Sequence, residues 1–487
     1  MSFCKFLAAL PVAVCLSLRA ENENSVTVTV STARPGADIS PLMLGLSYET
    51  GRLLPDETGA HYFRPDNQPL VQMFQTLGVR SLRVGGNSVD ATNFTIPSEA
   101  DVRSLFEFAR AVGVMVIYSV RLQDGDPQSA AKFARLIHDD YADTLDSFAI
   151  GNEPGYYKDY AVYTNKWTTI RDAMLAVFPA AKFCGPDQNP SPELCAKMVR
   201  DFGGADGHLA KISQHSYAFG CAYKNYKEKD PAKLVPQATA ASREKMLLPD
   251  AYGSYEKIRA GMAEAVAGTS VAFRLTEANS YWFSGLQGAS DRYASALWGA
   301  DYLHWWAAHG ADGLNFHTGD RTGGSIVLPC RYAAFVTSGH GYGARPLAYG
   351  LKLFDLGGHG KILPVNISST TNQNLAAYAT LGEDGNIFVT LINKSHGVAA
   401  ANLKVQLKLD EPFAAVKTKI IFLTARHSDL AGGSADVTLG GAQIKSDGGW
   451  KGRWQAVRIS TADKNLISVT MPPASAAVVR VTAPHNN

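Results

Sequence analysis

The stretch Ser147-Phe148-Ala149-Ile150-Gly151-Asn152-Glu153-Pro154-Gly155 predicts a buried strand that ends in an amide, a carboxylate and a chain break. A short apolar run bounded by a Pro-Gly turn is typical of a strand inside an α/β protein. Glu153 then stands at the carboxyl end of the strand, where parallel barrels hold their functional residues. A second run, Phe273-Arg274-Leu275-Thr276-Glu277-Ala278-Asn279, has Glu277 at a similar position. The chain thus offers two carboxylates at strand ends.

Apolar runs alternate with helical patterns over most of the chain, which favours parallel strands joined by right-handed crossovers. In the clearest helical pattern, apolar residues recur at intervals of four, three, four and three before Phe178-Pro179 ends the helix. These residues are Tyr163, Trp167, Ile170, Met174 and Val177. The predicted strands are Met43–Tyr48, Ser81–Val84, Met115–Val120, Phe148–Ile150, Lys182–Cys184, Ile212–Tyr217, Phe273–Leu275 and Leu314–Phe316. Such a series of strand and helix units closes most naturally into a (β/α)8 TIM barrel.

An open doubly wound sheet is the main alternative fold. It would place a glycine-rich phosphate turn after its first strand, and Gly45-Leu46-Ser47-Tyr48-Glu49 is not such a turn. The glycines at 339, 341 and 343 follow the last predicted strand and open no helix, so we interpret them as loop.

The first twenty residues, Met1 to Ala20, have the order of a secretory signal peptide: an early Lys5, an apolar run from Phe6 to Leu18, and then a polar segment. We therefore expect a secreted protein, extracellular or, in a bacterium, periplasmic; an apolar core helix is the alternative. No later run approaches the roughly 18 apolar residues of a membrane span. With 46 Lys and Arg against 44 Asp and Glu, the chain has no general charge footprint for nucleic acid.

Beyond Tyr349–Leu356, the expected last helix, the pattern changes at Gly357-Gly358-His359-Gly360. Short runs divided by turn residues follow, which is typical of an all-β sandwich. The alternating run Ser25–Ser31 is expected to pair into this sandwich. We therefore predict a signal peptide at 1–20, an N-terminal strand of the sandwich at 21–40, a catalytic barrel at 41–356 and a C-terminal sandwich at 357–487.

Cysteines and glycosylation motifs leave several questions open. Four cysteines follow the predicted signal and allow either disulfides or buried free thiols; they are Cys184, Cys195, Cys221 and Cys330. Asn93, Asn366 and Asn393 each begin an Asn-X-Ser/Thr acceptor motif, so a glycoprotein is expected if the host glycosylates.

Two strand-end carboxylates suit retaining glycoside hydrolysis, in which one carboxyl donates a proton to the leaving oxygen and the other attacks the sugar from about 5 Å away. In a barrel, Glu153 and Glu277 can meet because both lie at carboxyl ends of strands. A single glutamate after a strand is usually a helix-start residue or a surface charge, but the pair favours a glycosidase. Glu49, also at a strand end, is a candidate to hold a sugar hydroxyl. The sequence contains no zinc, paired-cysteine or serine-elbow motif, so we expect neither a metal nor a cofactor.

Several motifs resemble the clan of retaining (β/α)8 glycosidases and, within it, glycoside hydrolase family 79, the heparanase and β-glucuronidase family. The similar segments are Gly45-Leu46-Ser47-Tyr48-Glu49, Leu82-Arg83-Val84-Gly85-Gly86-Asn87, Ile150-Gly151-Asn152-Glu153-Pro154, Gln214-His215-Ser216-Tyr217, Thr276-Glu277-Ala278-Asn279-Ser280 and Asn315-Phe316-His317-Thr318-Gly319. The resemblance spans essentially the whole mature chain.

The resemblance implies a role for each matching residue. Glu153 would be the acid/base, Glu277 the nucleophile, and Asn152 the partner of the sugar 2-hydroxyl. Tyr217 would donate to the nucleophile. Glu49, Gly86 and Asn87 would line the nonreducing-end sugar, while His215 and His317 are candidates for supporting or purely structural roles.

The resemblance also implies a uronic acid substrate, whose carboxylate the family holds with backbone amides and a tyrosine just after the eighth strand. Here that segment is Gly319-Asp320-Arg321-Thr322-Gly323-Gly324, which lacks the tyrosine. Gly319 remains a candidate substrate-binding residue. Arg321, Tyr281 and Tyr332 are candidates to replace the missing tyrosine as a hydrogen-bond donor.

We therefore expect a secreted retaining β-glucuronidase that removes glucuronic acid or 4-O-methylglucuronic acid from glycans. The alternatives are a heparanase-like endo-β-glucuronidase and a non-catalytic carbohydrate-binding protein on the same fold. The partner in each case is a glucuronic acid-containing polysaccharide or proteoglycan. The lysine-rich segment 223–248 follows the sixth strand and is predicted to be a solvated loop, or else to line a cleft for an anionic polymer.

Overall fold

The computed structural model describes residues 25–204, 207–322, 327–369, 373–410, 417–457 and 466–482. The predicted signal peptide lies outside the described residues. No helix in those ranges is long and apolar enough to cross a membrane.

The predicted barrel is confirmed. After β1 (Ser25–Val30), which belongs to a separate sheet, the chain builds a closed ring of parallel strands in which the last strand pairs with the first. The ring consists of β2 (Leu44–Glu49), β3 (Ser81–Gly85), β4 (Met115–Val120), β5 (Leu145–Ile150), β6 (Phe183–Gln188), β7 (Leu209–Tyr217), β8 (Ala272–Asn279) and β9 (Gly313–His317). All eight predicted apolar runs lie in or next to these strands, and the open-sheet alternative is wrong.

Helices pack around the ring and return the chain to the start of each strand. They are α1 (Gln68–Leu77), α2 (Glu99–Val112), α3 (Pro127–Tyr141), α4 (Tyr160–Leu175), α5 (Pro192–Phe202), α6 (Thr239–Leu247), α7 (Ala251–Val266), α8 (Ala294–Ala308) and α9 (Pro346–Gly357). The predicted apolar face of α4 is confirmed, because Tyr163, Trp167, Ile170 and Met174 are buried. A local sequence signal sets the start of α2, where Ser98 and Asp101 form a reciprocal capping box.

The remaining strands form two short hairpins and two larger sheets. The hairpins pair β10 (Arg321–Thr322) with β11 (Leu328–Pro329) and β12 (Phe335–Ser338) with β13 (Gly341–Ala344). The other strands are β14 (Lys361–Leu363), β15 (Val365–Ser369), β16 (Leu375–Leu381), β17 (Ile387–Asn393), β18 (Leu403–Leu409), β19 (Lys417–Ala425), β20 (Val437–Leu439), β21 (Gln455–Val457), β22 (Leu466–Met471) and β23 (Ser475–Thr482). One sheet has the order β15-β1-β18-β22 and the other β14-β16-β17-β23-β19-β20, with β21 also on β19.

The predicted sandwich, including its N-terminal strand, is confirmed. The valines of β1 are fully buried between the two sheets together with Val405, Leu407 and Val479. A second apolar cluster runs from the barrel into the other face of the β19–β23 sheet. Polar contacts join the two parts as well: the hydroxyl of Tyr293 donates to the carbonyls of Leu423 and Ala474. The exact boundaries predicted at 40 and 356 stay predictions.

Four details differ from or complete the sequence interpretation. The segment 223–248 contains α6, so it is only partly a loop, and residues 339–343 belong to the β12–β13 hairpin. The four cysteines of the described part are free thiols. Asn393 is buried and donates to the Pro472 carbonyl, so its acceptor motif is inaccessible in the folded protein, whereas Asn93 and Asn366 are exposed.

Candidate active site

The two predicted glutamates meet at the carboxyl end of the barrel. Glu153 lies just past the end of β5, after Gly151 and Asn152, and Glu277 lies near the end of β8. A carboxylate oxygen of each, together with a ring nitrogen of His215, lies within 4.8 Å of the others. This is close to the roughly 5 Å separation at which one carboxyl attacks a sugar while the other protonates the leaving oxygen.

The same three groups also have the spacing of a metal site. Each Glu277 oxygen, however, already accepts a strong hydrogen bond, one from Tyr217 and one from Arg83. The fixed positive charge of Arg83 at that carboxylate would repel a second cation. The arrangement therefore suits a charged nucleophile better than a metal ligand.

Glu153 is held in an unusual backbone conformation. Its φ of 46° is left-handed, and its N–H donates to the carbonyl of Asp187 at 2.8 Å. The ring nitrogen Nδ1 of His215 lies 2.9 Å from its Oε1 atom. Because 29% of the side chain remains exposed, this carboxyl can meet both a bound glycan and water.

Glu277 is buried and strongly stabilised as an anion. Its Oε1 accepts from the Tyr217 hydroxyl at 2.7 Å and its Oε2 from Arg83 Nη1 at 2.8 Å. Burial alone would raise the pKa of Glu277, but the nearby charges of His317, His215 and Arg83 outweigh burial and hold this pKa well below its usual range. Burial and the Glu277 charge raise the pKa of Tyr217, so its hydroxyl stays protonated and donates.

Arg83 connects the two halves of the site. It lies in the middle of β3 with no solvent exposure. Nη1 contacts Glu277, while Nη2 donates to Asn152 Oδ1 at 2.7 Å and to Asp187 Oδ2 at 2.9 Å. One planar guanidinium thus sets the position of Glu277 relative to the residue that precedes Glu153.

Asp187 neutralises Arg83 and holds the two segments that carry Glu153 and Glu277. Its Oδ1 accepts from the hydroxyls of Ser213 at 2.5 Å and Thr276 at 2.7 Å, and Thr276 precedes Glu277. Its carbonyl accepts the Glu153 N–H. Burial would raise the pKa of Asp187, but the Arg83 charge and these donors lower it, so Asp187 stays ionised.

Asp90, also buried, fixes the loops around Asn152. Its Oδ2 accepts from the Asn152 N–H at 2.9 Å and from the Tyr156 hydroxyl at 3.1 Å. Its Oδ1 accepts the N–H groups of Leu122 and Gln123. The side chain of Asn152 is therefore aimed by its own backbone and by Arg83.

The residues predicted to line the nonreducing-end sugar lie together. Glu49 Oε2 accepts from the N–H and hydroxyl of Ser88 at 2.8 and 2.7 Å. A Cβ on Gly86 would lie 2.5 Å from the Glu49 carboxyl carbon, so only glycine fits there. Asn87 is exposed and its Oδ1 accepts from Asn152 Nδ2 at 3.2 Å. This places a polar wall next to the glutamate pair.

His317 lies between two carboxylates. Its Nε2 is 3.6 Å from Glu49 Oε1 and its Nδ1 is 3.6 Å from Glu277 Oε2. Burial would lower the pKa of His317, but the charges of Glu277 and Glu49 outweigh this effect and raise its pKa. The ring is therefore charged at neutral pH more often than an ordinary histidine.

We expect His317→Gln to remove a pH-dependent part of the stability. A raised folded-state pKa adds stability that is fully present below the unfolded value of about 6.5 and is lost as pH rises through the folded value. The free energy of unfolding of the wild type should thus exceed that of the variant most at mildly acidic pH. Urea unfolding from about pH 5.5 to about pH 9 measures this difference. A difference that grows with pH would contradict the assignment.

Some predicted residues are not brought to the pair. Tyr281 is buried against Phe219, and its hydroxyl donates to the Ser242 carbonyl, so its candidacy as a uronate donor is wrong. Arg321 is exposed on the β10–β11 hairpin. Gly319, with a φ of 136°, lies in the short segment between His317 and that hairpin. Tyr332, in contrast, lies at the site, with its ring centre 5.9 Å from that of Tyr217 and 6.1 Å from that of His317.

The sequence matches no protein-family model and no curated protein. Its structure is similar to solved glycoside hydrolases with a TIM barrel. A family 51 arabinofuranosidase from Xanthomonas axonopodis pv. citri has a TM-score of 0.66 at 16% identity, covering 94% of this chain and all of that one. A 4-O-α-L-rhamnosyl-β-D-glucuronidase from Fusarium oxysporum 12S has a TM-score of 0.68 at 18% identity, with 93% and 100% covered.

A monomeric β-xylosidase from Caulobacter crescentus CB15 is also similar, with a TM-score of 0.62 at 14% identity over 94% of this chain and 99% of that one. Identities this low establish the shared fold of barrel and sandwich. The chemistry must be argued from the residues of the site.

Proposed function

We propose that the protein is a secreted retaining β-glucuronidase, similar to glycoside hydrolase family 79, that releases glucuronic acid or its 4-O-methyl form from glycans. The observation that supports the reaction class is the approach of Glu153 and Glu277 to within 4.8 Å. Each residue also has the environment that its role needs, because Glu277 is a buried anion and Glu153 is partly open to solvent.

In this mechanism Glu277 attacks the anomeric carbon while Glu153 donates a proton to the glycosidic oxygen. The carbon–oxygen bond to the leaving group breaks and a covalent glycosyl-enzyme forms. Glu153, now ionised, takes a proton from water, which displaces Glu277 and regenerates the enzyme. Tyr217 and Arg83 keep Glu277 ionised and aimed, and Asn152 would bind the 2-hydroxyl.

The side chains that line the site support a uronic acid as the substrate. A uronate carboxylate must meet donors to be preferred over a neutral sugar. Tyr332 is buried and its pKa is raised by burial, so it is a protonated donor beside Tyr217 and His317. The glucuronidase among the structurally similar enzymes is a further reason to favour this sugar.

Nitrophenyl β-glycosides of glucuronate, glucose, galactose and xylose, assayed side by side, test this proposal. We expect kcat/KM for the glucuronide to exceed the others by at least about 100-fold, because buried donors left unpaired disfavour a neutral sugar. A preference for a neutral sugar would overturn the assignment as a uronidase but leave the assignment as a glycosidase intact. Finding the mature N-terminus near residue 21 in the exported protein would support secretion.

An endo-acting, heparanase-like enzyme is the second candidate. The observation that favours it is the exposed segment with Lys224, Lys227 and Lys229, next to which the rings of Tyr226 and Trp282 lie 5.0 Å apart. Clustered cations with neighbouring aromatic rings suit the binding of an anionic chain. Product sizes distinguish the two: monosaccharide release supports the exo-enzyme, and oligosaccharides alone support the endo-enzyme.

A further inference from the structure

Strand β7 presents its side chains alternately to the outside and the inside of the barrel. On the outside, the side chains of Gln214 and Ser216 contact helices α5 and α8. The side chains of His215 and Tyr217 therefore point into the barrel, where each contacts one of the two glutamates. One strand thus supplies a partner to both carboxyl groups.

A register shift helps to aim His215. In the pairing of β7 with β8, Gln214 lies opposite Leu275, but His215 lies opposite Glu277, so Thr276 is an extra residue on β8. An extra residue of this kind increases the local twist and turns the neighbouring side chains, often next to an active site. The ring of His215 consequently lies beside both glutamates.

The ring of His215 has one partnered and one unpartnered nitrogen. Nδ1 lies 2.9 Å from Glu153 Oε1, whereas Nε2 is buried and has no hydrogen-bond partner among the described residues. A hydrogen on Nδ1 has an acceptor, but a hydrogen on Nε2 has none. Nδ1 therefore carries a hydrogen in the neutral ring as well as in the charged ring, and it donates to Glu153.

Packing alone does not explain a histidine at this position. The ring has no solvent exposure, and a buried polar atom without a partner costs free energy. An apolar side chain would fill the space without leaving Nε2 unpaired. The hydrogen bond to Glu153 is the interaction that requires a polar ring here.

Several elements bring charged or titratable groups to the surroundings of His215 and Glu153. They are Arg83 of β3, Asp90 of the segment after β3, Asp187 of β6, Tyr217 of β7, Glu277 of β8 and His317 of β9. Arg83 pairs with the carboxylates of Asp187 and Glu277. Among the described residues, the donor to the Glu153 side chain is His215.

The hydrogen bond at Oε1 leaves Oε2 as the oxygen that can carry the acid proton. Because 29% of the Glu153 side chain is exposed, a bound glycan can reach that oxygen. In the first step the proton moves from Oε2 to the glycosidic oxygen, which also keeps the electron pair of the broken carbon–oxygen bond. The Glu153 carboxyl becomes an anion, and the Nδ1–H group of His215 stabilises the new charge at Oε1.

We propose that His215 is a positioning residue that keeps the acid proton on Glu153 Oε2 and stabilises the carboxylate left after proton transfer. Strand β7 then serves both halves of the reaction, because Tyr217 holds the nucleophile. The inference rests on the proposed function, since that function makes Glu153 the acid.

His215→Leu and His215→Asn form a matched pair of variants. The two new side chains have nearly the same size, but only asparagine offers an N–H group near the position of Nδ1. In His215→Leu, the ratio of kcat/KM for phenyl over nitrophenyl β-glucuronide should fall at least about tenfold, because only the poorer leaving group needs the acid. His215→Asn should keep most of this ratio. Equal ratios in the two variants would overturn the proposal.

The pH profile of kcat/KM for phenyl β-glucuronide is the second readout. Its alkaline limb reports the loss of the acid proton. Without a donor at Oε1 the protonated acid persists to higher pH, so the limb should move up by at least about half a pH unit in His215→Leu. The shift should be smaller in His215→Asn and absent in Ser216→Ala, on the outer face of the same strand. A limb that stays in place or moves down in His215→Leu would contradict the proposal.

If the glucuronides are not turned over, the proposed sugar fails, and the same comparison is made with phenyl and nitrophenyl glycosides of the sugar that is. If no glycoside is turned over, or His215→Leu does not fold, magnetic resonance of the wild type with isotope-labelled histidine decides. The signals of the His215 ring are those lost in His215→Asn. We expect a hydrogen on Nδ1 and a changed Nδ1 signal in Glu153→Ala. A hydrogen on Nε2 alone would overturn the inference whatever the activity.

Discussion

Glu277→Gln is expected to lower kcat for every substrate by on the order of 10⁵-fold, because it removes the group that forms the covalent intermediate. The amide is nearly isosteric, so Tyr217 and Arg83 still surround a group of the same shape. Stopped assays with a nitrophenyl glycoside measure the loss. Because the nucleophile serves every leaving group, the defect should be the same for activated and unactivated substrates.

Glu153→Ala is the comparison that separates the two roles. Without its acid, the enzyme should lose roughly 10²- to 10⁴-fold on glycans, whose leaving oxygen needs a proton. The first step should be spared for a nitrophenol leaving group, so an initial burst of nitrophenol should precede slow turnover. If Glu153→Ala affects both substrate classes equally, or Glu277→Gln stays active, the assignment of roles is wrong.

Arg83→Met is expected to destabilise the protein by about 3–5 kcal/mol, because it leaves the buried carboxylates of Asp187 and Glu277 without their counter-charge. Methionine occupies much of the same space, so the loss of stability should reflect the missing charge more than the missing volume. Urea unfolding gives the free energy of unfolding. Activity should fall as well, since Asn152 and Glu277 lose their common donor.

The double variant Arg83→Met/Asp187→Asn tests that explanation. Removing one of the stranded charges should recover part of the lost stability, so the two substitutions should be strongly non-additive. A loss below about 1 kcal/mol in Arg83→Met, or simple additivity in the double variant, would mean that the network is not electrostatically coupled.

The barrel and the pair Glu153 and Glu277 were predictable because both depend on local patterns: apolar runs of strand length, and polar residues where the runs stop. The parallel ring then brings strand ends together whatever their separation in the chain. Arg83 was missed as a functional residue although its position gave a signal. A charged side chain in the middle of a buried strand must have partners, and a carboxylate is the obvious one.

Asp187 and the uronate donors were not predictable in the same way. The Gly185-Pro186-Asp187 segment has the composition of an ordinary turn, and nothing local indicates that its carboxylate points toward Arg83. Tyr281 and Tyr332 are equally plausible candidates by sequence. The loop after β8 packs the ring of Tyr281 against Phe219, whereas the loop after β9 brings Tyr332 near Glu277. The paths of such loops depend on tertiary contacts that the local sequence does not reveal.

The central position of β1 in its sheet affects the order of assembly during synthesis. Val28 lies opposite Ile367 on one side and Leu407 on the other, so the first of the described strands to leave the ribosome needs neighbours that are translated long after it. At roughly 5–20 residues per second, that delay is on the order of tens of seconds. A nascent chain therefore presents a valine-rich segment without hydrogen-bonding partners throughout this interval, and mispairing between two growing chains would begin there.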